Sequence, residues 1–339
     1  MELSEVRQRA AERLAGVCKV CRHCNGVVCA GQVPGFGGVG TGAGFIANVE
    51  ALARRKLNLR VLHQAKEADT HVRLFGQNLS MPILGAAVAG VKVNRMAGVE
   101  ERELTEAMIL GPRLAGTLGM GGDGGDPIVF ETTLSVIKQA HGLGIPVIKP
   151  RTQDALLERV RLAEEAGAVA IAVDVDAAGL INMALLGQKV EPKTAAQVRE
   201  IVEATQKPVI LKGIMTPEDA IVAADAGAAG IVVSNHGGRA LDHTPGTADV
   251  LPQIVREVKG QLTILVDGGV RSGVDVLKML ALGADAVLVG RPLAIAAAGG
   301  GQEGVRLQLE EYRNQLRVAM VLTGCARVSD VDSSVLWQG

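Results

Sequence analysis

The hexapeptide Ser234-Asn235-His236-Gly237-Gly238-Arg239 places an imidazole and a guanidinium three positions apart, straight after the β-branched run Ile231-Val232-Val233. Imidazole is a base near neutral pH, and a guanidinium can hold a carboxylate through two parallel hydrogen bonds. A second apolar run, "AVAIAVDV", ends in a carboxylate, Asp174, with Asp176 two positions on. Asp174, His236 and Arg239 together suit removal of a proton beside a substrate carboxylate: one group takes the proton, one stabilises the imidazolium, one clamps the acid. A solitary histidine in a folded chain is usually structural. Its place here, before Gly-Gly-Arg at the end of a strand-like run, favours catalysis.

Other apolar runs end in the same way. "PVILK" delivers Lys212, "ILVDGGVR" delivers Asp267, Gly268, Gly269, Val270 and Arg271, and "AVLVGR" delivers Gly290 and Arg291. Paired glycines let a backbone approach a ligand closely, and a helix opening near Ser272 offers free amides. Two Gly-plus-Arg loops of this kind predict a phosphate site; tight turns carrying surface arginines are the plainer reading.

Groups spread along the chain can act together only if the fold brings strand ends to one place. From about residue 82 the sequence alternates eight short apolar runs with helix-like segments such as "TQDALLERVRLAEEAG", "TPEDAIVAADAG" and "SGVDVLKMLALG". Several of these start at Ser or Thr and stop at Gly. Eight strand–helix units predict a (β/α)8 TIM barrel over residues 82–339, with a doubly wound sheet as the alternative. Residues 1–81 form an N-terminal extension: a polar helix, a cysteine cluster, a Gly-rich loop at 31–44 and a mixed segment.

The chain has 339 residues, formal net charge −1 and 2% aromatic residues, which excludes a basic or base-stacking nucleic-acid surface. No uncharged run approaches the roughly 18 residues of a membrane span, and no apolar signal segment opens the chain. These features predict a cytoplasmic protein with a small-molecule substrate and neither nucleic-acid nor membrane partners.

Four of the five cysteines, Cys18, Cys21, Cys24 and Cys29, fall in "CKVCRHCNGVVC". The C-x2-C-x2-C-x4-C spacing suits zinc or an iron–sulfur cluster, with His23 as a further ligand; redox-active thiols and inert cysteines are the alternatives. The ferredoxin pattern differs, with three residues in its last gap and then proline. Cys325 reads as core. "GFGGVG" (35–40) follows no strand and "GMGGDG" (119–124) opens no immediate helix, so neither passes as a dinucleotide fingerprint. The first reads as a loop or lid, the second as a border of the cofactor site. The acidic run "VEERELTEA" reads as a solvated helix face.

"ILKGIMTPEDA", "IVVSNHGGRALD", "ILVDGGVRSGVDVLKMLALGADAVLVGRP" and the closing "AMVLTGC" resemble the FMN-dependent α-hydroxy acid dehydrogenases and oxidases, the glycolate- and lactate-oxidase group. The resemblance is densest over residues 208–326, thinner over 145–207 and slight before 82. It implies an FMN-dependent oxidation of a 2-hydroxy acid, or a related α-hydroxy carbonyl compound, to the keto product, in a homo-oligomer of tetrameric type with an unspecified electron acceptor. It implies His236 as base with Asp174 as partner, Arg239 on the substrate carboxylate, and Lys212 beside the flavin N1–O2 edge. Ser234 and Gly122 would touch the flavin, and Ala86, Ala87 and Val88 would lie against its ring. Asp267 to Arg271, Gly290 and Arg291 would hold the ribityl phosphate.

The departures are also informative. The group's N-terminal tyrosine has no counterpart, since the only tyrosine is Tyr312; a second tyrosine aligns with Pro146 and a second carboxylate-binding arginine with Ile181. A serine and a glutamine on the flavin align with Gly122 and Gly144. Each lost charge-assisted bond is worth roughly 1.5–3 kcal/mol, so either other groups replace them or the substrate is not a small hydroxy acid. Two other functions stay open: a non-redox FMN isomerase of the type 2 isopentenyl diphosphate isomerase kind, and a flavin- or metal-binding redox sensor without turnover.

Overall fold

The computed structural model describes residues 1–338. Two short strands, β1 (Val72–Leu74) and β2 (Gln77–Leu79), form an antiparallel hairpin. Eight parallel strands follow: β3 (Ile83–Gly85), β4 (Met120–Gly122), β5 (Ile145–Ile148), β6 (Ile171–Asp174), β7 (Val209–Ile214), β8 (Gly230–Val233), β9 (Thr263–Val266) and β10 (Ala286–Val289). They run in the order β3-β10-β9-β8-β7-β6-β5-β4. A parallel bridge from Gly85 to Gly119, with Gly85 N–H donating to the Leu118 carbonyl at 3.0 Å, closes the ring. The expected TIM barrel is formed. β4 lies later than the "GTLGM" run suggests, because Gly121 and Gly122 read as loop yet pair with β5.

The strands are apolar on both sides because each faces two cores. Leu84, Met120, Val147, Ile210, Val232 and Leu265 fill the interior, and Leu74 and Leu79 of the hairpin join them, plugging one mouth. Alternate residues such as Ile83, Val173, Leu211, Val233 and Val266 pack outward against the helices. With so few aromatics, Val, Ile, Leu and Ala do this work. Thr194, Thr216 and Ser272 cap their helices by accepting backbone N–H groups, and Thr194 forms a full capping box with Gln197. Thr152 makes no such bond.

The N-terminal extension is packed onto the barrel. Helix Leu3–Arg13 lies against the C-terminal helical stretch Arg291–Thr323, two helices joined at a kink at Gly301 (φ 57°). The Gly-rich stretch ends earlier than expected, in helix Ala43–Arg54, whose Asn48 donates to Asn235 Oδ1 at 2.8 Å and accepts from Thr247 N–H at 3.0 Å. Nor is residues 35–42 an unattached lid: Asp242 accepts from Thr41 N–H and Ala43 N–H, at 2.5 and 3.0 Å. The acidic run is not all solvated. Glu101 is partly buried and accepts the N–H groups of Gly90 and Val91. No helix among the described residues is long and apolar enough to cross a membrane.

Candidate active site

β8 turns sharply where it ends. His236, Gly237 and Gly238 have φ of 58°, 62° and 76°, three consecutive left-handed residues, a conformation costly for a histidine and usually retained at functional sites. The bend is held from both ends. His236 N–H donates to Ser234 Oγ at 3.1 Å, and Gly238 N–H donates to Asn235 Oδ1 at 3.0 Å. A Cβ on Gly238 would sit 2.2 Å from the Phe45 backbone nitrogen, so only glycine lets the N-terminal helix approach. The imidazole is thereby turned inward over β6.

There it meets two carboxylates. His236 Nδ1 lies 3.0 Å from Asp176 Oδ1 and 3.5 Å from Asp174 Oδ1. The sequence reading made Asp174 the partner; the nearer partner is Asp176. Asp174 is instead engaged by two ammonium groups, Lys149 Nζ at 2.5 Å and Lys212 Nζ at 2.9 Å. A register shift in β7 between Lys212 and Ile214, with Gly213 at φ 105°, aims Lys212 at that carboxylate. Burial opposes ionisation of Asp174, but His236, Lys149 and Lys212 overcome it and hold the carboxyl well below the usual aspartate range. Burial likewise opposes the Lys212 charge, and Asp174, Asp176 and Asp267 hold it above the ordinary lysine value. This network keeps the strand-end charges fixed across neutral pH.

Three guanidiniums lie on the other flank. Burial lowers Arg239 to about 10. Burial, then repulsion from Arg239 and Arg271, lowers Arg291 to about 9. Their partners are mostly neutral oxygens of the N-terminal extension. Arg239 donates to the Gly35 carbonyl and, at 3.0 Å, to Asn94 Oδ1. Arg291 donates to the Phe36 and Gly37 carbonyls at 2.6 and 2.9 Å, and Arg271 to the Cys24 carbonyl at 2.9 Å. Positive charge here exceeds what the described side chains neutralise, which makes this flank a site for an anion.

His236, Asp174, Lys149, Lys212 and the three guanidiniums border one open-mouthed cavity, which Asp176 does not line. Ala86, Ala87, Val88, Gly122, Lys212, Asp174, His236, Arg239, Asp267 to Arg271, Gly290 and Arg291 all line it. Ser234 does not. It is fully buried behind His236, where its hydroxyl accepts the His236 N–H, so it positions the imidazole from outside the cavity. Sequence reasoning missed Lys149, Asn94 and Asn182, which also face the cavity. Lys149 follows β5 directly and was legible by the strand-end rule; nothing marked the two asparagines. The four clustered cysteines line a second, smaller cavity beside the first, while His23 is exposed and does not line it. Cys325 is buried, as expected.

A model of the family described as FMN-dependent dehydrogenase matches residues 36–184 and 181–338. The chain belongs to this family. Among relatives, 4-hydroxymandelate oxidase of Amycolatopsis orientalis is 37% identical, over 86% of this chain and 89% of its own length. Human 2-hydroxyacid oxidase 1 is 32% identical, over 85% and 87%. Among solved structures, mandelate oxidase with (S)-2-phenylpropionate superposes with a TM-score of 0.77 at 33% identity, covering 99% of this chain and 97% of that one.

Members of the family use FMN, and the cavity fits that group on its own chemistry. Asp267 Oδ1 is buried without a hydrogen-bond donor in the protein, as suits an acceptor for a ribityl hydroxyl. A Cβ on Gly290 would enter the cavity, meeting only Ala86 Cβ at 3.7 Å and Val88 Cγ2 at 3.9 Å, so the glycine leaves room for a flat ring. Arg291 begins a helix whose first amides, together with the three guanidiniums, favour a phosphate.

Proposed function

We propose that this enzyme oxidises a 2-hydroxy acid to the corresponding 2-keto acid, with FMN receiving the two electrons. One observation carries the reading. An inward-turned imidazole backed by a carboxylate at 3.0 Å shares a cavity with Lys212 and Arg239. A carboxylate at Nδ1 fixes the proton there and leaves the Nε2 lone pair free as base. His236 then takes the proton lost as the substrate hydroxyl becomes a carbonyl, and Asp176 with Asp174 stabilises the imidazolium. Lys212 supplies a permanent positive charge in the cavity, which favours negative charge on a reduced flavin. Arg239 faces the substrate carboxylate. Lys149 and Asn182 take over from the absent tyrosines and second arginine: Asn182 Oδ1 is buried without a donor and is available to a substrate hydroxyl.

The isomerase alternative is not favoured, because the relatives above are oxidases and the His-carboxylate pair has a direct use in hydroxy acid oxidation. The test is spectroscopic. The purified protein should show flavin absorbance, and without oxygen glycolate, (S)-lactate or (S)-mandelate should bleach it. His236→Gln should keep the flavin bands and lose bleaching by on the order of 10²-fold or more, the usual scale of a general base. A protein that takes up no FMN, or a flavin that no 2-hydroxy acid bleaches, overturns the reading.

A further inference from the structure

We infer that Cys18, Cys21, Cys24 and Cys29 hold an iron–sulfur cluster that takes electrons from the flavin site singly and passes them to a one-electron oxidant. The electron source rests on the function proposed above; the cluster site does not. These cysteines precede residue 36, where the family match begins. All four are unbridged, half-buried and gathered around one small cavity.

The spacing points to the metal. The first three cysteines keep the C-x2-C-x2-C spacing of cluster-binding loops.

The surroundings suit an anionic centre. Arg271 Nη2 lies 3.5 Å from Cys24 Sγ, and Arg291 lines the cavity. Arg7 donates to the Val20 and Cys21 carbonyls at 3.1 and 2.9 Å, tying the loop to helix Leu3–Arg13.

Position gives the cluster its task. Phe36 and Arg291 line both cavities, leaving a single layer of side chains between flavin and cysteines. Each substrate loses two electrons and two protons. A bound cluster would take the electrons one at a time, each converting one ferric iron to ferrous, and a one-electron oxidant would restore the ferric iron after each. Two equivalents of that oxidant would be reduced per keto acid formed, and two protons would reach solvent.

The experiment uses the full chain purified without oxygen and reconstituted with ferrous iron and sulfide. Iron and acid-labile sulfide should appear in near-equal amounts, and dithionite should produce a paramagnetic signal. The same signal should grow when a 2-hydroxy acid bleaches the flavin. Cys21→Ser and Cys24→Ser should lose iron, sulfide and signal while keeping flavin absorbance and its bleaching, and Cys325→Ser should keep everything. Zinc in place of iron, or thiols that stay free after reconstitution, overturns the site. If no 2-hydroxy acid bleaches the flavin, its reduction by light and EDTA still reads the link: a growing signal supports the inference although the substrate reading has failed. A cluster that stays oxidised beside a reduced flavin overturns the electron path.

Discussion

Asp174 and Asp176, two positions apart, do separate work. Asp174 is 2% exposed and neutralises Lys149 and Lys212 at once. Asp174→Asn leaves two buried ammonium groups with no carboxylate at that point, and breaking such a pair typically costs about 3–5 kcal/mol. Urea unfolding should show a loss of that order. Asp176→Asn should instead cost less stability, because Lys212 keeps Asp174 as its bonded partner, and lower the turnover number on the order of 10²-fold, because the imidazole loses its nearest carboxylate. The pH dependence has a definite sign. The Asp174 pKa is depressed, so its contribution is present above the unfolded value of about 3.9 and is lost below it. The Lys212 pKa is raised, so its contribution is complete below about 10.4 and is lost only above that. The deficit of Asp174→Asn should therefore stay constant from about pH 5 to 9; a deficit that shrinks steadily across this window contradicts the ion triad. Gly290 offers a cleaner separation of folding from binding. Its φ of −101° is not left-handed, although its ψ of −88° lies just outside the helical region, and an added methyl makes only ordinary contacts. Gly290→Ala should keep the apoprotein's unfolding midpoint and weaken FMN binding at least about tenfold, by flavin fluorescence titration, since a well-packed site tolerates little overpacking. The strand-end rule made Asp174, His236 and Lys212 legible in the sequence. It did not reveal which carboxylate the imidazole faces, because that depends on the β7 bulge and the left-handed turn after β8.

Among elements, the periodic helices were read with little error, since caps such as Thr194, Thr216 and Ser272 act within a few residues. The Gly-rich stretch was read less well. Its order comes from Asp242, Arg239 and Arg291, all about two hundred residues or more away, and no local pattern announces such partners. Its function is to set the rim of the cavity: the carbonyls of Gly35, Phe36 and Gly37 hold two of the three guanidiniums. Asp242 is the tie that can be cut without touching the site. Burial is the largest single influence and opposes ionisation, but bonds from the Thr41 N–H and hydroxyl and the His243 N–H together hold its carboxyl down to about 2. A depressed carboxyl stabilises above its unfolded value and loses that effect as pH falls toward its folded one. Asp242→Asn should loosen residues 40–43 at neutral pH, seen as faster amide hydrogen exchange there with β8 and β9 unchanged. Wild-type protein should show the same local loosening only as pH drops from about 4 toward 2. Equal exchange in both proteins at pH 7 removes Asp242 from this role.

At the scale of the whole molecule, the closed ring matters because it turns eight separate strand ends into one rim. In an open sheet, β3 and β4 would lie at opposite edges; here Ala86 and Gly122, at the ends of these strands, border the same cavity. Closure also gathers Arg239, Arg271 and Arg291, and their mutual repulsion is a standing cost in the apoprotein that an anion relieves. A phosphate-bearing flavin should therefore bind much more tightly than riboflavin. Two charge-assisted hydrogen bonds at roughly 1.5–3 kcal/mol each amount to about 3–6 kcal/mol, or a preference on the order of 10² to 10⁴. Sulfate, which carries the charge without the ring, should raise the apoprotein's melting temperature and compete with FMN. A neutral solute at equal concentration should do neither. By mass action, FMN at a hundred times its Kd should stabilise the fold by about 2.7 kcal/mol, with riboflavin at the same concentration giving far less. Equal stabilisation by the two flavins, together with indifference to sulfate, would mean that the three arginines serve only to fasten the N-terminal segment and that the phosphate is held elsewhere.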